Sequence, residues 1–117
     1  MASVIRGNDN FDSAAAAGLK AWVNFNGTGA VSIRAAYNVN YIMDNGTGDY
    51  TVNFTTAMPD ANYAVVSSAA RNNATDVMIC APKGNAGTYS TSAVRLQTLS
   101  DGGGYEDSPV VGVSIFR

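Results

Sequence analysis

Between Val31 and Met43 the chain alternates with a period of two. The odd positions carry Val31, Ile33, Ala35, Tyr37, Val39, Tyr41 and Met43, while most even ones are polar: Ser32, Arg34, Asn38 and Asn40. That period belongs to a strand, whose successive side chains point to opposite faces, and not to a helix, which repeats every ~3.6 residues. The stretch reads as one long strand, or as two in line with a bend near Ala35–Ala36. DYTVNFT continues the pattern with Tyr50, Val52 and Phe54 on one face, and LKAWVNF, NYAVVSSA, DVMICAP, TYSTSAVRLQ and PVVGVSIF are further strand candidates.

The turns between these runs carry a repeated word. Asn26-Gly27-Thr28-Gly29 and Asn45-Gly46-Thr47-Gly48 each separate two alternating segments. Asn-Gly in that setting predicts a type I′ hairpin turn, because both of its central residues need positive φ, so Asn26, Gly27, Asn45 and Gly46 are assigned to turns. The second glycine of each copy can instead take the left-handed position of a longer, bulged loop. Two successive hairpins predict a meander in which the strand before Asn26, the strand from Val31 and the strand from Asp49 share one sheet. About eight short strands joined by Gly, Asn, Asp and Pro make an all-β fold, an antiparallel β-sandwich or Greek-key barrel, over residues 19–117.

Composition agrees with this vocabulary. A chain of 117 residues fits one domain, and its charged fraction of 14% lies below the ~25% usual for globular domains. Twelve Asn stand against the single Glu106, which favours strands and turns over helices. The net charge of −2 and the scattered Lys and Arg offer no basic patch, so no nucleic-acid partner is expected. No apolar run reaches the ~20 residues of a membrane-spanning helix, and MASVIRGNDNFD lacks the apolar centre of a secretory signal, so membrane insertion and export are not expected.

Two segments do not read as sheet. Residues 1–18 read as an extended N-terminal arm, in which Val4, Ile5, Arg6 and Phe11 are candidates for anchoring to a partner or a neighbouring subunit. LSDGGGYEDSP places three glycines between polar residues and reads as an exposed, mobile loop. Gly103, Tyr105 and Glu106 on it are the receptor-contact candidates, although a Tyr105 folded back onto the sheet is an equal reading. Trp22 is expected in the core, and Tyr37, Tyr41, Tyr50 and Tyr63 in the core or at a subunit interface.

The residues needed for catalysis are not assembled. The chain has no His, so Ser–His and Cys–His nucleophiles and His-based zinc sites are absent, and Cys80, the sole cysteine, reads as an inert buried thiol. Glycosidase chemistry needs two facing carboxylates, whereas the acidic residues fall in predicted turns, strand ends and the arm. Asp44 to Asp49 lacks the alternating ligands and distal Glu of a calcium loop. The four Asn-X-Thr matches at Asn26, Asn45, Asn53 and Asn73 are expected of an Asn- and Thr-rich chain and are not read as glycosylation sites. The expectation is a non-enzymatic protein with no cofactor and no metal.

The continuous text KAWVNFNGTGAVSIRAAYNVNYIMDNGTGDYTVNFTTAMPDANYAVV, residues 20–66, resembles a module of tail-fibre and other virion proteins of tailed bacteriophages, cyanophages among them. GNDNFD resembles the run-in that precedes that module. The resemblance rests on Trp22, both Asn-Gly turns and the MPDANY corner taken together, over about half the chain. It implies a structural virion protein, most directly a trimeric tail-fibre or receptor-binding tip, assembled in the host cytoplasm and carried on the tail or capsid exterior. Its implied partners are further copies of itself, other virion proteins and a glycan or protein of the host surface. The alternative is a capsid decoration (cement) protein held to the shell by its arm.

Overall fold

LKAWVNFN forms the first strand, β1 (Leu19–Asn26), because its phase puts Ala21, Val23 and Phe25 on one face. The computed structural model describes residues 18–71, 77–84 and 88–117. The N-terminal arm, with Val4, Ile5, Arg6 and Phe11, lies outside the described residues. Seven strands follow β1: β2 (Ser32–Tyr37), β3 (Val39–Gly46), β4 (Asp49–Phe54), β5 (Ala64–Ala70), β6 (Met78–Pro82), β7 (Ala93–Ser100) and β8 (Val110–Phe116). They build two four-stranded sheets in the orders β2-β1-β8-β5 and β3-β4-β7-β6, with every pair antiparallel. The fold is the expected all-β sandwich.

The four central strands supply the core. Val23, Phe25, Val111, Val113 and Ile115 from the first sheet meet Tyr50, Val52, Phe54, Val94 and Leu96 from the second, all of them buried. Phe25 and Tyr50 close the gap between the sheets edge to face, with centroids 5.3 Å apart at 73°. Met58 and Tyr63 seal the end of the sandwich near the MPDANY corner, where the Tyr63 ring lies 5.8 Å from Phe54 and 5.3 Å from Tyr89.

The expected single-sheet meander is replaced by a division between sheets. Both hairpins form, but β1 and β2 belong to one sheet and β3 and β4 to the other. The alternating run breaks at Asn38, not at Ala35–Ala36, and Asn38 has φ 55°, the one positive value outside glycine among the described residues. Its side chain makes this corner self-sufficient: Nδ2 donates to Lys20 O (3.1 Å) and Thr56 O (3.0 Å), while Oδ1 accepts from Thr56 N (2.7 Å). β2 and β3 are therefore edge strands on different sheets. Every residue of β2 is exposed, and so are Tyr41 and Met43. Tyr50 and Tyr63 take core positions, whereas Tyr37 and Tyr41 do not.

Trp22 is also corrected. It is half-buried on the outer face of the first sheet, because Ala21, Val23 and Phe25 hold the inward phase of β1 and strand alternation turns Trp22 away.

The two NGTG copies are not the same turn. In the first, Asn26 Oδ1 accepts from Thr28 N (2.9 Å) and Thr28 Oγ1 (2.6 Å), closing an Asx turn at the start of a longer loop. Gly27 is buried without positive φ, and it is glycine because a Cβ there would lie 2.4 Å from the Tyr50 hydroxyl and 2.9 Å from Ser108 O. In the second, Gly46 pairs with Asp49, so the two turn residues are Thr47 and Gly48 and not Asn45 and Gly46. Asn45 sits at a register shift, with Nδ2 donating to Thr51 Oγ1 at 2.8 Å. What the copies share is the second glycine, left-handed in both: Gly29 at φ 59° and Gly48 at φ 63°.

These loops gather at one pole. Gly27 N donates to Ser108 O (2.8 Å), Gly48 N to Asp107 Oδ1 (2.8 Å), and Thr98 N to Gly48 O (2.9 Å). At the opposite pole Leu19 pairs with Phe116, and Arg117 N donates to Gly18 O at 3.2 Å.

Two buried tyrosines and Cys80, which is partly buried against the core and not fully buried as expected, set an alkaline limit on stability. Burial pushes the Tyr63 phenol up to about 12 and the Cys80 thiol up to about 11, and it also holds Tyr50 above its ordinary value. Groups raised on folding contribute stability that is intact below their unfolded values, ~8.5 for Cys and ~10 for Tyr, and is lost as pH rises through the folded ones. Calorimetric melting is therefore expected to be flat from neutral pH to about pH 8, to decline gently as the unfolded thiol ionises, and to fall steeply above about pH 10. A flat profile to pH 12 would show that these groups are not protected by the fold.

Candidate functional site

The loop after β7 is a tight return. Ser100 N donates to Gly104 O (2.8 Å) and Gly103 N to Ser100 O (2.9 Å), with Gly103 exposed at φ 89°. Beyond it Tyr105 forms a bridge with Leu99, which carries its ring onto the outer face of the second sheet. Of the two readings open for Tyr105, the folded-back one holds, yet the side chain remains half exposed, at 51%.

A polar cluster surrounds that ring. Lys83 Nζ stands 4.7 Å from the ring centroid and 3.1 Å from the hydroxyl, which in turn donates to Gln97 Oε1 at 3.2 Å. Asp49 lies beside Gln97 in register and holds Arg95 through two bonds, of 2.8 and 2.6 Å, with Lys83 Nζ 3.4 Å away. The Arg95 hydrogen bond is the main reason that the Asp49 carboxyl is held below its ordinary value. Two cations against one carboxylate leave the cluster net positive. It presents an aromatic face with hydrogen-bonding groups around it, which suits recognition.

Glu106 plays a different part from its neighbour. Its carboxylate pairs with Arg71, its N–H donates to Thr98 O (3.1 Å), and its carbonyl accepts from Thr98 Oγ1 (2.6 Å). It fastens the loop to β7, so Tyr105 and Gly103 are presented and Glu106, though partly exposed, is committed to Arg71 and Thr98. Lys83, Gln97, Asp49 and Arg95 were not among the site residues expected from sequence. Gln97 meets Tyr105 across the loop's own return, eight residues away, while Lys83, Asp49 and Arg95 come near it through the registers of β4, β6 and β7. Among the described residues there is no group of three or more His, Cys, Asp and Glu side chains placed to hold a metal ion.

The outer face of the first sheet holds a second feature. Trp22, Asn24, Val66, Ser68, Gly112 and Ser114 line an open groove of about 310 Å³. Comparison with protein-family models, curated proteins and solved structures finds no match to this chain.

Proposed function

We propose that this chain is a structural virion protein of a tailed bacteriophage, acting as a trimeric tail-fibre or receptor-binding tip that contacts a glycan or protein of the host surface. The observation that carries the reading is polarity. The Gly-rich loops converge at one pole of a rigid sandwich, and the chain enters and leaves at the other, so a domain held at Gly18 points its loops outward. Residues 20–66, which carry the resemblance, span β1 to β4, the Asn38 corner and the start of β5. The trimer is supported by two of the four edge strands, β2 and β3. Ile33, Tyr37, Tyr41 and Met43 stand exposed along β2 and β3, where a neighbouring subunit would cover both their apolar surface and their unpaired backbone groups.

Purified protein added to host cells before phage is expected to occupy the receptor and reduce adsorption. The same protein with Gly102–Gly104 deleted and Tyr105→Ala is expected to fold and to leave adsorption at its control level. Adsorption unaffected by the parent protein would overturn the receptor-binding reading. Gold-tagged antibody on intact particles is expected to mark the tail, whereas label over the head would assign the chain to capsid decoration.

A further inference from the structure

The groove on the first sheet has a built cross-section. Registers place Trp22 opposite Ser114 and Ser114 opposite Val66, with Asn24, Gly112 and Ser68 in the next outward-facing row. The central strand β8 thus carries its smallest outward residues, Gly112 and Ser114, between larger ones on β1 and β5. Trp22 and Val66 are two strands apart, so the walls stand about 10 Å from backbone to backbone over a low floor. The volume of about 310 Å³ sits at the lower end of the ~300–1,000 Å³ range of small-molecule sites.

Its chemistry is neutral and incompletely satisfied. No charged side chain lines it. The Ser68 and Ser114 hydroxyls make no hydrogen bond among the described residues, in contrast to Ser67, whose hydroxyl donates inward to Cys80 O at 2.7 Å. Arg34 Nη1 donates to Asn24 Oδ1 at 3.2 Å and Nη2 to Pro109 O at 2.6 Å, which steadies the Asn24 amide and leaves its Nδ2 without a partner. An aromatic wall, an aliphatic wall and three free neutral hydrogen-bonding groups, Ser114 on the floor and Asn24 and Ser68 beside it, match one ligand class. A pyranose ring offers C–H edges to the negative face of an aromatic ring and hydroxyls to the polar groups.

We propose that this groove binds one neutral pyranoside unit of a glycan, stacked on Trp22 and hydrogen-bonded by Asn24, Ser68 and Ser114. The site stands on the groove itself. Only the biological source of the sugar, a host-surface glycan, rests on the receptor-binding reading.

Trp22 is the single tryptophan of the chain, so its fluorescence reports on this site alone. Glucose-, galactose-, mannose- and N-acetylglucosamine-terminated oligosaccharides are titrated into the full-length protein, with calorimetry in parallel. At least one is expected to give a saturable change in Trp22 emission. Ser114→Leu, which fills the floor from outside the core, is expected to weaken binding at least tenfold with melting unchanged. Trp22→Ala, followed by calorimetry, is expected to do the same, and Trp22→Phe to retain part of the affinity. No saturable change with any of these sugars, or an equal change in Ser114→Leu, overturns the site. If the protein blocks adsorption but shows no sugar response at Trp22, the groove assignment fails and the receptor-binding reading stands. If the sugar response is present but adsorption is untouched, the groove stands and that reading fails.

Discussion

Gly48→Ala is expected to destabilise the protein by about 2–5 kcal/mol and to lower its melting temperature by roughly 8–20 °C. A Cβ residue in the left-handed conformation found here costs about 1–2 kcal/mol. The rest comes from space, because a Cβ at Gly48 would lie 2.4 Å from Thr98 O and 2.9 Å from Glu106 N, both backbone atoms of the segments that clasp the hairpin. Neither can swing aside as a side chain could, and forced overpacking of this kind costs about 1–3 kcal/mol. Gly103→Ala is the control. Its φ of 89° is also positive but nothing lies within 4 Å, so a loss of about 1–2 kcal/mol is expected there. Urea denaturation of the two variants checks the difference. Equal effects would mean that conformation alone, and not the clasp, requires glycine at 48.

The second large effect centres on Tyr50. Tyr50→Ala is expected to cost about 3–5 kcal/mol, since the ring fills the space between the sheets against Phe25 and is fully buried. Tyr50→Phe keeps that volume and removes only the hydroxyl, which lies 2.8 Å from both Gly27 O and Asp107 Oδ1. A loss of about 1–3 kcal/mol is expected from the polar groups left without it. The same pair of residues provides a coupling test. Gly27→Ala collides with the Tyr50 hydroxyl, so it should be less damaging in the Tyr50→Phe background than in the parent. Strict additivity would show that the strain comes from the ring Cζ, 2.6 Å from that Cβ, and from Ser108 O, which both backgrounds keep, and not from the hydroxyl.

The strands were legible because alternation is a local property. LKAWVNF and DYTVNF state both that a strand is present and, by the parity of Val23, Phe25, Tyr50, Val52 and Phe54, which side is buried. The parity of β1 also contained the correct position of Trp22, since Trp22 is out of phase with Ala21 and Val23. Size was the misleading cue, because a large aromatic suggests a core position wherever it falls. What alternation does not state is which sheet a strand joins. Val31 to Met43 keeps an uninterrupted period through a corner, because Asn38 occupies an ordinary polar position there and resembles Asn40 in every local respect. Only its contacts with Lys20 and Thr56, far along the chain, distinguish it.

The candidate site divides along the same line. A tyrosine after three glycines is visible in the text, and its exposure follows from that setting. Gln97 is only eight residues from Tyr105, but Lys83 and Asp49 are separated from it by long stretches of sequence and meet it by register, which short-range pattern does not encode. The groove was hidden for a related reason. VVGVSIF shows where β8 is small, but a trough exists only once Trp22 and Val66 are known to flank it.

The pairing of Leu19 with Phe116, and of Gly18 with Arg117, has a mechanical meaning. Tension drawn between the two chain ends would open the β1–β8 ladder from its terminus, one bond after another, like a zip. Tension drawn from Gly18 to the loops at the far pole would run along β1, which lies between β2 and β8, and would load the bonds on both sides in shear at once. The domain is thus weak when Gly18 and Arg117 are pulled apart and strong when it is loaded lengthwise, from that pair to the loops of the far pole.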